Sequence, residues 1–326
     1  MTVVDIHTHM LNDEWLHRLK AHGGPHFTVR EFKGQQVVHV DGAPFMTLLD
    51  GMFDYELRIE NMTRAGVDVA IVSLTCPSVF WGGPEVSLDA ARQMNDDMAA
   101  RQAAWPDRLR WFASLPWQYP ELAVEELNRA AGNGAVGVFV TANVRGMSLT
   151  NETLAPVWEA IESRGLPVLV HPTAPPGVAE MDAFEYNLVA SVGFTFDTTL
   201  AVSRMIFDGF FDRYRELKII AAHAGGYLPY LAGRLDVCYE NMPACREKID
   251  RAPSTYLPRI YYDTVVFSQP ALELCLHVAG ADNMLYGSDY PHNIGDMRGC
   301  LSRVDALPAD ARRKIRGENA ARVFRL

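Results

Sequence analysis

The chain has 326 residues, 48% of them hydrophobic and 21% charged, a balance that excludes a disordered or collagen-like polymer. Forty acidic against thirty basic side chains give a net charge of −10, which repels a phosphate backbone and argues against a nucleic-acid partner. No apolar run approaches the roughly 20 residues that cross a bilayer, and Met1 to Met10 has neither a basic region nor a long apolar core, so a soluble, cytoplasmic protein with no membrane partner is expected.

Short apolar or β-branched runs then recur along the chain: Val3 to Ile6, Val69 to Leu74, Leu109 to Leu115, Ala135 to Val140, Pro167 to Val170, Lys218 to Ala222, Ile260 to Tyr262 and Met284 to Tyr286. Between and after them lie segments with helical periodicity: Tyr55 to Ala65, Leu88 to Ala104, Pro120 to Ala131, Thr153 to Ser163, Leu200 to Phe207, Tyr227 to Met242, Ala271 to Ala279 and Pro308 to Val323. Eight strands alternating with eight helices, each strand apolar on both faces, predict an α/β fold in which the sheet closes as a (β/α)8 TIM barrel. No Gly/Ser linker divides it, so residues 1–326 are expected to form a single barrel. The stretch Met10 to Gly51 is too long for an ordinary strand-to-helix connection. It reads as an insertion after the first strand, with Phe27 to Phe32 and Gln36 to Val40 as a small β-hairpin covering one barrel mouth. Cys76, Cys238, Cys245, Cys275 and Cys300 are odd in number and contain no CxxC pair, which predicts reduced, mostly structural thiols.

The chemistry collects at strand ends. His7 and His9 stand two apart at the end of the first run, so strand geometry points both imidazoles the same way. His171, His223 and Asp289 each follow a later run directly. Taken singly, each reads better as a hydrogen-bonded core histidine or a helix-capping aspartate than as a ligand. Together, five metal-competent groups at the C-terminal ends of strands one, five, six and eight would project into one barrel mouth, where such barrels carry their chemistry.

This arrangement resembles the amidohydrolase superfamily. The stretches Val168 to Pro172, His223 to Arg234, Leu285 to Pro291, Arg58 to Val69 and Met94 to Asp96 are similar to the branch named for aminocarboxymuconate-semialdehyde decarboxylase. The resemblance implies that His7, His9, His171 and Asp289 bind one divalent metal, usually zinc and sometimes manganese, and that His223 is the catalytic acid/base. No lysine ends the fourth run, Val136 to Thr141, so the carbamylated lysine of two-metal branches has no counterpart. The resemblance also implies a homodimer in which Arg234 reaches the neighbouring subunit's site to hold a substrate carboxylate; an ordinary exposed arginine paired with Asp236 or Glu240 is the alternative. One departure concerns the substrate. The family's arginine in the insertion has no match in Ala43 to Met52, and Arg30 and Arg58 only flank that segment. Phe80, Trp81, Arg145 and His292, with Asn143 and Phe194, are candidate pocket residues instead.

The expected activity is metal-dependent decarboxylation of an unsaturated or aromatic carboxylic acid without an organic cofactor, with His223 and Asp289 managing protons. A lactonase-type hydrolase or a hydratase could use the same groups on a metal-activated water, and a barrel that keeps its metal only as a staple is the non-enzymatic alternative.

Overall fold

Runs of Val, Ile, Leu and Phe that are buried along their whole length form parallel strands, because a strand covered on both faces accepts apolar residues at every position. The computed structural model describes residues 2–326. Its central strands are β1 (Val4–His9), β2 (Val69–Ser73), β3 (Leu109–Ser114), β4 (Gly137–Thr141), β5 (Pro167–His171), β6 (Lys218–Ala221), β7 (Tyr261–Asp263) and β8 (Met284–Leu285). They pair in chain order. The stretch after β8 returns to β1 through Ile6 N to Tyr286 O (3.0 Å), Asp289 N to His7 O (2.8 Å) and His9 N to Tyr290 O (2.8 Å). With helices between the strands, this is the expected (β/α)8 TIM barrel.

Inside the barrel Ile6, Ile71, Phe112, Phe139, Leu169 and Ile220 pack into one apolar cluster. Phe324 of the terminal helix Asn319–Phe324 closes the floor, edge-on to Phe112 at 5.5 Å between centroids. A larger apolar layer fills the space between strands and helices. The interior below the mouth is therefore solid, and chemistry is confined to the rim at the C-terminal strand ends.

β1 is irregular in a way that matters. Val4 and Ile6 join the interior cluster, so strict alternation would continue on Thr8 and turn His7 and His9 away. The register against β2 shifts by one residue between Asp5 and Thr8. This β-bulge resets the alternation, and both imidazoles enter the mouth.

The insertion differs from a two-stranded hairpin. Phe27–Phe32, Gln35–Val40 and Ala43–Thr47 form a three-stranded antiparallel sheet. Its two turns are Lys33-Gly34 and Asp41-Gly42, all four residues having positive φ, as the tight turns matching strand twist require. A helix, Asp13–His22, precedes the sheet; Asn12 caps it and Trp15 and Leu19 are its buried face. Two helices start earlier than their periodicity indicates, at Pro84 and Phe194. Pro84 suits a first helical position, where no N–H is needed. The terminal helical run is continuous, passing from Ala309–Arg313 through a wider π-helical stretch, Lys314–Glu318, into Asn319–Phe324.

Candidate active site

The strand ends bring His7, His9, His171, His223 and Asp289 together. Ring centroids of His7 lie 5.0 Å from those of His9, His171 and His223, and His9 and His171 are 4.7 Å apart. The donor atoms of His7, His171, His223 and Asp289 all fall within 4.8 Å of one another; His9 meets the same carboxylate, its Nε2 3.2 Å from Asp289 Oδ1, in a second group with His292. His223 and Asp289 have φ of 56° and 59°, a left-handed backbone that L residues avoid unless their surroundings impose it.

Three of the imidazoles have their Nδ1 engaged. His7 Nδ1 is 2.5 Å from Asp263 Oδ2, His171 Nδ1 is 2.8 Å from the Pro172 carbonyl, and His9 Nδ1 is 3.2 Å from the Leu74 carbonyl with the Ser73 hydroxyl at 3.1 Å. Carbonyls and carboxylates only accept, so in each ring the proton sits on Nδ1 and the lone pair on Nε2. His7 Nε2 and His171 Nε2 are buried without a hydrogen-bond partner, as is His223 Nδ1. Lone pairs that converge in this way, with a carboxylate among them, repel one another unless a cation lies between. The donor set therefore fits a bound divalent metal. Burial pushes His9 down to about 3 and His171 well below its ordinary value, keeping both neutral. Burial also opposes a charge on His7, but the Asp263 carboxylate outweighs it and the pKa is raised. At Asp289 burial favours the neutral acid, yet the surrounding His223 and His9 rings hold the carboxyl well below the usual range.

The sequence model of the amidohydrolase family matches residues 4–326. The chain belongs to that family. Among its relatives, the 2-amino-3-carboxymuconate-6-semialdehyde decarboxylase of Dictyostelium discoideum is 31% identical over 300 residues, covering 90% of this chain and 83% of the relative. The gamma-resorcylate decarboxylase of a Polaromonas strain is 32% identical over 292 residues, covering 82% and 86%. The crystal structure of 5-carboxyvanillate decarboxylase from Sphingomonas paucimobilis superposes with a TM-score of 0.87 at 26% identity, covering 100% of this chain and 99% of that one. This amidohydrolase thus lies in the branch that holds these decarboxylases.

Beside the histidines opens a cavity of about 470 Å³. Its inner wall is Thr141, the register partner of His171, with Asn143, Thr173, Pro77 and Phe80; its outer wall is His26, Phe27, Val40 and Asp41 of the insertion, Arg145, and the loop 174–180. Phe80 and Arg145 are accordingly at the cavity, Arg145 exposed at its rim. His292 sits beside the histidine–aspartate cluster, 5.0 Å from the His9 ring, with its Nε2 3.0 Å from the Thr75 hydroxyl. Trp81 is placed otherwise than expected: it packs against Trp15, and its Nε1 donates to the Ser78 carbonyl at 3.0 Å. It belongs to the core wall and does not line the cavity. Arg234 is exposed on the helix Leu228–Asn241, and its suggested partner Asp236 instead accepts from the Ser254 amide at 2.8 Å. The structure does not bring Arg234 to this chain's own cavity lining.

Four polar residues at the site were given no role there from the sequence. Asp263 ends β7 as Asp289 follows β8, and a carboxylate ending a strand run was the available signal. Asp197 is buried, accepts from Asn143 Nδ2 (3.0 Å) and Thr173 N (3.0 Å), and is pushed up to about 6 by burial; it fixes Asn143 in the cavity wall. Asp5 accepts from Ser288 and holds the Ser288-Asp289 stretch against β1. Arg58 is fully buried and donates to Thr8 Oγ1 (2.6 Å) and to the His9 carbonyl while lying 4.8 Å from the Tyr290 ring. It braces the back of the site and does not replace the missing insertion arginine.

Proposed function

We propose that this amidohydrolase is a metal-dependent, non-oxidative decarboxylase of an aromatic or unsaturated carboxylic acid, acting without an organic cofactor. The observation that carries the reading is the set of buried, unpartnered imidazole nitrogens converging on Asp289 at the barrel mouth, in a chain whose relatives decarboxylate such acids. Those relatives do not favour the hydrolase or hydratase reading.

In this assignment His7, His9, His171 and Asp289 hold one divalent ion. Three imidazoles in the set suit zinc, with manganese as the alternative. When bound, the ion supplies a Lewis acid toward a substrate oxygen and stabilises the charge left as carbon dioxide departs. His223 has a different role because its ring is different: no neighbour engages its Nδ1, while its Nε2 lies 3.5 Å from Asp289 Oδ2. A ring with one nitrogen facing a carboxylate and the other free can take a proton on one side and give it up on the other. His223 delivers the proton that replaces the carboxyl group on the substrate carbon, with Asp289 as its proton partner. Phe80 offers an apolar wall for a flat ring, and Arg145 and His292 contact its polar substituents.

The working form is a homodimer in the cytoplasm. Five free cysteines suit a reducing compartment, and no helix among the described residues is long and apolar enough to cross a membrane. Exposed Val192, Phe196 and Leu200 recur every four residues, and Tyr230 and Val237 are exposed on the neighbouring helix. Such an apolar face is what a second copy would cover, and part of it lies on the helix that carries Arg234.

Metal analysis of the purified wild type beside His171→Ala, with both assayed for carbon dioxide release from aromatic and muconate-like acids, tests the reading. About one equivalent of zinc or manganese, lost in the variant together with activity, is expected. Metal retained by wild type with water addition or ester hydrolysis instead of carbon dioxide release would refute decarboxylation.

A further inference from the structure

Asp263 is fully buried at the end of β7, between β1 and the turn that follows β6. Four N–H groups converge on its two oxygens. His7 Nδ1 (2.5 Å) and the His223 amide (2.8 Å) meet Oδ2; the Ala224 amide (2.8 Å) and the Val265 amide (3.0 Å) meet Oδ1. Two of those amides belong to residues in the left-handed region, His223 at φ 56° and Ala224 at φ 52°. Neither is glycine, so each Cβ crowds its own backbone and the turn must be held from outside. Charge-assisted bonds from a buried carboxylate are the strong kind that can do so.

We propose that Asp263 is a positioning residue shared by both halves of the site: it locks the His7 tautomer that leaves Nε2 free for metal, and it holds the strained turn that aims His223 at Asp289. The metal group and the proton donor are then set by one carboxylate, so neither can move without the other. The inference rests on the metal-centre reading above and adds a residue outside the ligand set. Replacement by the isosteric amide cannot satisfy all four donors. An amide has one acceptor oxygen, and its NH₂ would face two N–H groups wherever it is placed.

The test is Asp263→Asn in the full chain, read in two ways. Zinc affinity, measured by chelator competition, should fall about 10- to 100-fold, the usual cost of losing an outer partner of a metal-bound histidine. In the metal-free protein, at a pH where the His7 ring is neutral, ¹⁵N NMR should show His7 as the Nδ1–H tautomer in wild type and a mixed population in the variant. Turnover should drop in kcat with KM little changed, because substrate contacts are not touched. Should the amide variant fail to fold, Asp263→Glu keeps the charge but displaces it; it should retain the Nδ1–H tautomer and lose kcat through the His223 turn. A folded Asp263→Asn with wild-type zinc affinity and an unchanged His7 tautomer would overturn the proposal, as would Asp263→Glu with wild-type kcat. A wild-type chain without affinity for zinc or manganese would overturn the metal centre itself.

Discussion

The difference between His223 and the other three imidazoles comes down to a single ring nitrogen. His7, His9 and His171 are each bonded through Nδ1 to a group that can only accept, which fixes the lone pair on Nε2. His223 Nδ1 has no partner among the described residues. His223→Asn should therefore lower kcat by about 10²-fold or more, the usual contribution of a general acid, while metal content stays at the wild-type level. Loss of metal together with activity would move His223 into the ligand set. Arg58 shows the same dependence on individual bonds from the other side. Its guanidinium is buried among Thr8, Met10 and the His9 carbonyl with no carboxylate bonded to it, and burial depresses its pKa. Burying a cation in this way is costly, and its hydrogen bonds hold β1 where the histidines need it.

At the scale of elements, the loops are tied to the barrel by charged side chains that respond to pH. Asp208, at the end of the helix Phe194–Phe207, is one such tie. Burial raises its pKa, but the Thr150 hydroxyl (2.5 Å), Lys248 (3.1 Å) and Arg204 (3.2 Å) outweigh this and hold the carboxyl below its ordinary value. A carboxyl depressed in the folded state stabilises the fold above the unfolded pKa of about 4, and that contribution disappears as pH falls through the lower folded value. Asp208→Asn should remove this increment. Denaturation midpoints of wild type and variant should converge on acidification below about pH 4 and separate above it; a constant gap between them across that range would refute the assignment. The β1 bulge is a second element-scale device. One additional residue between Asp5 and Thr8 changes which side chains enter the mouth. The insertion is a third, since it supplies Phe27 and Val40 from its strands and His26 and Asp41 from its turns to the cavity's outer wall.

For the whole molecule, the exposed apolar face on the helices that meet at Tyr227 bears on assembly. Tyr227 donates from its hydroxyl to the Val192 carbonyl (3.0 Å) and from its amide to Thr199 Oγ1 (2.7 Å), which joins the two helices into one surface. Placing a charge in its middle with Leu200→Glu should shift sedimentation from dimer to monomer, because a buried unpaired carboxylate opposes association. Activity should fall with it if Arg234 serves the neighbouring subunit. A wild type that sediments as a monomer with full turnover would remove both claims.

Barrel topology and the positions of His7, His9, His171, His223 and Asp289 were legible in the chain because strand runs are continuous and apolar and the polar groups end them; both are local patterns. The catalytic preference was carried by branch-specific motifs such as Leu285 to Pro291. Tertiary structure alone decided the rest, since each remaining feature depends on partners distant in sequence. The bulge that turns His7 and His9 inward is a register between strands some 65 positions apart. The third insertion strand had a local signal in Asp41-Gly42, but its pairing is made by Ala43–Thr47 with Gln35–Val40. Trp81 is core because Trp15 lies against it, and Asp263 matters because it stands 256 residues from His7 in the chain and 2.5 Å from it in space. The sequence determined which groups could do chemistry, through residue type and strand periodicity; folding determined which of them meet, because hydrogen bonds and packing act over ångströms regardless of chain separation.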